Sequence, residues 1–196
     1  MSLGKPNRST KARNRALDAA SRILESEGYA RLTMERVAAD SGVAKTTIYR
    51  RWPTKAALCM DLYLEVSARE LRDPDTGDIA QDLEQIVRSV VRVQTGTVAG
   101  AAFTGLIAEA QINPETRGTF LDFADRRREL SRAVLRRAIQ RRQIKSDTDI
   151  ELVIDAIGGA CTFRLLQGHA PLTPKFAAGI VKLVLEGCRA TSKEAK

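Results

Sequence analysis

A chain of 196 residues with 43% hydrophobic and 29% charged side chains can bury a core and is too apolar to be disordered. The net charge of +8 is polarised: residues 1–55 hold 12 Lys and Arg against 5 Asp and Glu, a surplus of seven, and the remainder adds one. Basic charge gathered at one end suits a polyanionic partner, while three scattered cysteines and one histidine show no metal-ligand spacing, so neither metal nor cofactor is expected.

Residues 1–9 are polar, and Lys5, Arg8, Lys11, Arg13 and Arg15 all precede the first acid, Asp18. Such a basic arm can reach a groove or phosphates, or remain solvated. A first helix is expected from about Thr10 to Glu27, burying Ala16, Ala20, Ile23 and Leu24 and stopping at Gly28, with Tyr29 packing it onto the next helices. Thr33 is an N-cap residue, and Met34, Val37, Ala38 and Ser41 come after it at helical spacing. Gly42 stands where a left-handed residue would end that helix. Val43 turns inward, and Ala44 to Trp52 forms a second short helix. On it Lys45, Thr46, Tyr49 and Arg50 span an arc of about 140°, with Ala44, Thr47 and Ile48 opposite. Ala38, Gly42 and Ile48 are then the close-packed kernel of a helix-turn-helix. The outward arc offers a major groove a cation, two hydroxyls and a guanidinium.

Thr54 caps a fourth helix with Leu58, Leu62 and Val66 in one stripe, ending near Pro74, and the segment Asp73 to Asp78 reads as a linker. The linear division is therefore a helix-turn-helix domain with its basic arm at 1–53, a connecting helix at 54–72 and a second domain at 73–196. Helix five carries Ile79, Leu83, Ile86, Val87 and Val90 and ends at Gly96; helix six runs from about Thr97 to Ile112 around Phe103, Leu106 and Ile107. Pro114 opens a long helix seven that reaches about Gln143, with Gly118 a candidate break in its first turn. Eight of its arginines, from Arg126 to Arg142, interleave with Asp122, Asp125 and Glu129, which favours a solvated, ion-paired helix over a second nucleic-acid face. Ser146 to Asp149 forms a capping box for helix eight, which carries Ile150, Val153, Ile154, Ile157 and Cys161 with Gly158 and Gly159 between them. Thr173 and Pro174 start helix nine, with Phe176, Ile180, Val181, Val184 and Leu185 inward. His169 falls in the loop between them, a surface residue rather than a ligand or base. The sum is an all-α protein of about nine helices, with an N-terminal three-helix domain and a C-terminal helical domain.

The stretch GYARLTMERVAADSGVAKTTIYRRWPTKAAL closely resembles the DNA-binding domain of the tetracycline-repressor (TetR/AcrR) family over roughly Thr10 to Tyr63. Gly28, Tyr29, Thr33, Val37, Ala38, Gly42, Val43, Thr47, Ile48, Tyr49 and Lys55 fit; Thr46 and Arg51-Trp52 depart from it, which leaves the base preference open. The resemblance implies a transcriptional regulator, most often a repressor, that binds double-stranded DNA as a homodimer and responds to a small-molecule effector. The expected DNA contacts are Lys45, Thr46, Tyr49 and Arg50 in the major groove, with Thr33, Thr47 and Lys55 on phosphates. The less specific second half resembles the family's ligand-binding and dimerisation domain. Inward side chains Leu62, Val66, Ile86, Val90, Phe103, Ile107, Phe123 and Ile157 are candidates for an effector pocket, and Ile154, Gly158, Gly159, Phe176, Ile180 and Val184 for the dimer interface.

An enzyme is disfavoured: no His/carboxylate pair shares a helix, and no glycine loop is followed by Gly-Lys-Ser/Thr. A DNA-binding protein without an effector is the closer alternative. The N-terminus lacks a hydrophobic signal region and the longest apolar run, 98–108, is too short to span a bilayer. A cytoplasmic protein with reduced cysteines and no membrane partner is expected.

Overall fold

The computed structural model describes residues 8–188, among which there are helices and no strands. Lys5 and the rest of the arm before residue 8, and the Cys188 side chain, lie outside the described residues. The helices are α1 (Arg8–Glu27), a 3-10 turn (Tyr29–Arg31), α2 (Met34–Ser41), α3 (Lys45–Arg51), α4 (Lys55–Glu70) and α5 (Ile79–Gly96). After these come α6 (Val98–Ile112), α7 (Pro114–Gln140), α8 (Ile150–Gln167) and α9 (Pro174–Cys188). Two compact units interleave in sequence, where a linear division was expected: one holds the chain up to Val66 and Thr97–Phe120, the other Ser67–Gly96 and the chain from Leu121.

In the first unit, local chemistry sets the corners. Thr33 Oγ accepts the Arg36 N–H at 3.2 Å and starts α2. Gly42 ends α2 at φ 63°, a left-handed conformation that costs a glycine little. The Ala44 carbonyl then accepts the Thr47 and Ile48 N–H groups, which winds α3. Ile48 and Trp52 are buried on one side of the corner and Val37 and Leu32 on the other, and α2 packs on α1, where Ala16, Ala19, Ala20 and Ile23 are buried. Small buried residues on α6, Ala99, Gly100 and Ala102, let that helix pack against α1 as well. This packing is why 97–120 belongs with the helix-turn-helix.

The second unit closes around Ile79, Leu83, Ile86, Val87 and Val91 of α5, which meet Val153, Ile157 and Cys161 of α8 and Ala177, Val181 and Leu185 of α9. Asp149 alone caps α8, its Oδ1 accepting the Leu152 N–H at 3.0 Å, in place of the expected capping box. Gly118 does not interrupt α7, which is continuous from Pro114. Three arginines of α7 and Arg141 just beyond it are paired within the unit. Arg132 reaches Asp125 at 2.7 Å and Glu129 and Glu151 at 2.6 Å, and Arg128 reaches Glu151 at 2.9 Å and Asp155 at 2.7 Å. Arg137 and Arg141 pin the 73–78 segment through Asp73 and Asp75, at 2.6 and 2.5 Å, so the expected linker is tethered. Among the described residues no single helix is long and apolar enough to cross a bilayer.

Candidate nucleic-acid interface

Burying Ile48 in the corner turns the opposite side of α3 outward. Lys45, Thr46, Tyr49 and Arg50 are exposed there, as the spacing expects, while Thr47 is half-buried. Arg8, Lys11 and Arg15 of α1 and Arg50 of α3 line one groove of about 580 Å³, which also includes Gly42 and Thr47. Four cations around one concavity with a helix edge beside it form a surface for phosphates.

Sequence reading missed an anion on this face. The Tyr49 hydroxyl donates to Glu35 Oε1 at 2.7 Å, and that hydrogen bond is the main reason the Glu35 carboxyl sits below its ordinary range. The tyrosine is thereby held across the α2–α3 corner. Thr33, expected on a phosphate, uses its oxygen to cap α2, and its hydroxyl also faces the Glu35 carboxylate.

Behind α3 lies a second polar cluster that no local spacing announces. Asp61 of α4 accepts Arg13 Nη2 at 2.7 Å, Arg13 Nε at 3.2 Å and the indole N–H of Trp52 at 3.0 Å. Arg13 Nη1 adds Glu65 at 2.5 Å. Burial pushes the Asp61 carboxyl up, but the hydrogen bonds from Arg13 and Trp52 outweigh it and hold the group below the ordinary range. Arg13, counted with the basic arm, is thus half-buried and binds α1 to α4. Lys55 has partners that the sequence did not announce: its Nζ is 3.6 Å from Glu109 Oε2 of α6 and 4.4 Å above the ring of Tyr29. Tyr29 in turn packs on α6, donating to Glu109 at 2.8 Å.

The remaining candidates divide between the two units. Leu62, Val66, Phe103 and Ile107 lie in the first, with Leu62 and Phe103 buried; Ile86, Val90, Phe123 and Ile157 lie in the second, all but Val90 buried. Of the interface candidates, Gly158 and Gly159 are exposed, whereas Ile154, Phe176, Ile180 and Val184 lean on the core of the second unit. The large apolar side chains that α8 and α9 expose are instead Leu152, Phe163, Leu166 and Leu183. His169 is exposed, its ring 5.1 Å from that of Phe163.

Residues 16–61 match the model for bacterial regulatory proteins of the tetR family, and residues 73–184 that for the tetracyclin repressor-like C-terminal domain. The chain is 30% identical to the HTH-type transcriptional regulator YdeS of Bacillus subtilis, over 90% of this chain and 89% of that one. It is 32% identical to the DNA-binding transcriptional repressor TetR of Mycobacteroides abscessus, over 86% of this chain and 89% of that one. The crystal structure of the TetR family transcription regulator SCO0332 superposes with a TM-score of 0.79 at 36% identity, covering 92% of this chain and all of that one.

Proposed function

Because the chain belongs to the TetR family and is a DNA-binding transcriptional regulator, we propose that it is a homodimeric repressor, released from an inverted-repeat operator by a small organic molecule. The observation that supports this most is the exposed arc of Lys45, Thr46, Tyr49 and Arg50 on α3, beside the cationic groove of Arg8, Lys11 and Arg15. The arc reads bases and the groove holds phosphates.

The dimer is proposed on α8 and α9. Leu152, Ala156, Gly159, Phe163 and Leu166 are exposed at alternating spacings of four and three, one continuous stripe along α8, and Leu183 is exposed on α9. Soluble monomers rarely leave such a surface in water. A homodimer carries two α3 helices, one from each protomer. An inverted repeat requires them about 34–36 Å apart, or a multiple of a helical turn. An effector that tilts α4, which bears both Lys55 and Asp61, would change that separation. With aromatics only 5% of the chain, an aliphatic effector is favoured over a flat cation.

A gel shift with the DNA flanking its own gene, repeated with candidate effectors, tests the reading. Thr46→Ala should change which sequences are preferred, whereas losing a groove cation such as Lys11 should weaken all sequences alike. A thermal-shift screen separates an effector-responsive repressor from a constitutive binder. Reciprocity requires an effector that weakens DNA binding to bind more weakly itself when operator is present. Equal affinity with and without operator would reject the switch.

A further inference from the structure

A lysine at the start of α4, four residues after α3, is placed to meet a phosphate, yet here its charge is already answered from within. Lys55 Nζ lies 3.6 Å from Glu109 Oε2, and the Lys55 side chain is 30% exposed. The two partners are not equally free. Glu109 accepts the Tyr29 hydroxyl at 2.8 Å on Oε2 and the Thr116 hydroxyl at 3.1 Å on Oε1. A carboxylate with both oxygens engaged is fixed in place, whereas lysine is a point charge on a flexible stem.

A separate feature of α6 shows that this placement is built in. Gly105 precedes Glu109 by one helical turn on the same face. A Cβ at Gly105 would lie 2.1 Å from Tyr29 Cγ and 2.5 Å from both Cδ atoms. Only a bare backbone lets α6 rest on the tyrosine ring, and that seating delivers Glu109 to the Tyr29 hydroxyl and to Lys55.

We propose that Glu109 is a positioning residue for DNA binding, an internal counter-anion that decides how much of the Lys55 charge reaches the phosphates. The proposal rests on the chain being a DNA-binding regulator. A lysine that meets a phosphate while its carboxylate stays in place neutralises no net charge. That contact therefore releases no counterion and adds nothing to the salt dependence of binding. Anything that lifts α6 from Tyr29 removes the carboxylate and frees the lysine.

The test uses the full chain and a fluorescein-labelled mixed-sequence duplex, read by anisotropy from about 50 to about 200 mM salt. Glu109→Gln should bind about two- to fivefold more tightly at the low-salt end. Its log–log salt slope should steepen by about 1. In a Lys55→Ala background the same change should do nothing, because the carboxylate acts through that lysine. Glu109→Met, which removes the charge at similar volume, carries the same expectation if the glutamine variant folds poorly. An unchanged slope, an equal gain without Lys55, or weaker binding at unaltered thermal stability would each overturn the proposal. A wild-type chain with no affinity for DNA would instead remove the regulator reading, and this proposal with it.

Discussion

Replacing Gly105 by alanine sets two opposed effects against each other. Alanine is the better helix former, and in the interior of α6 the exchange gains about 1 kcal/mol. Against this, the new Cβ would lie 2.1 Å from Tyr29 Cγ and 2.5 Å from the two Cδ atoms, well inside contact distance. The ring cannot swing aside freely, because Lys55 covers it at 4.4 Å and its hydroxyl is bonded to Glu109. Overpacking of this kind costs about 1–3 kcal/mol, and a lost Tyr29–Glu109 hydrogen bond about 1 kcal/mol more. The clash wins, and Gly105→Ala should destabilise the protein by a net of about 1–3 kcal/mol. In a chain of this size the melting temperature should fall by about 2–4 °C per kcal/mol. Circular dichroism during heating, with urea unfolding beside it, reads the effect. Gly118→Ala in α7 is the control: beyond the adjoining backbone of its own helix nothing lies within 4 Å of its Cβ position, so propensity acts alone and stabilises by about 0.5–1 kcal/mol. Tyr29→Ala should cost less in the Gly105→Ala background than in the wild type, since the clash is then relieved. A Gly105→Ala protein that melts with or above the wild type, or additive costs in that cycle, would refute the seating of α6 on Tyr29.

Other perturbations probe the rest of the molecule. Asp61 has a pKa lower in the folded chain than in the unfolded one, so its stabilising contribution is complete above about pH 4 and is lost as the pH falls through the folded value. Asp61→Asn should therefore lower stability at neutral pH and flatten the acid limb; an unchanged acid limb would deny the Arg13–Asp61–Trp52 cluster its role. Phe163→Glu, at a side chain 59% exposed, should yield a folded monomer by light scattering; a persisting dimer would move the interface away from the α8 stripe. Burial pushes the Cys59 thiol up to about 12 and that of Cys161 to about 11, so in a Cys188→Ser protein neither should react with a disulfide reagent before unfolding. A rapid thiol titration of the native variant would contradict that burial.

What the amino-acid sequence settled by itself was whatever is decided within a turn or two of helix. Thr33 capping α2, Gly42 at its left-handed end and Ile48 turned inward all depend on neighbours a few residues apart, so the helix-turn-helix and its outward arc were legible. So was the inward row on α5, where Ile79, Leu83, Ile86 and Val87 are buried. So was the inward stripe of α8, where Val153, Ile157 and Cys161 are buried with Ile150 and Ile154 packed beside them. Its second apolar stripe was not: Leu152 and Phe163 point out, and periodicity alone does not say that a helix apolar on both sides leaves one of them uncovered. The polar clusters were invisible for a different reason. Tyr29 and Glu109 are 80 residues apart in sequence and Arg13 and Asp61 are 48 apart. No spacing rule reaches that far, and such pairs exist only once packed helices bring them within a few ångströms. Arg13, counted with the basic arm, and Lys55, assigned to a phosphate, both met their carboxylates this way. Local chemistry writes the helices and the reading face, and tertiary packing decides which charges remain for the partner.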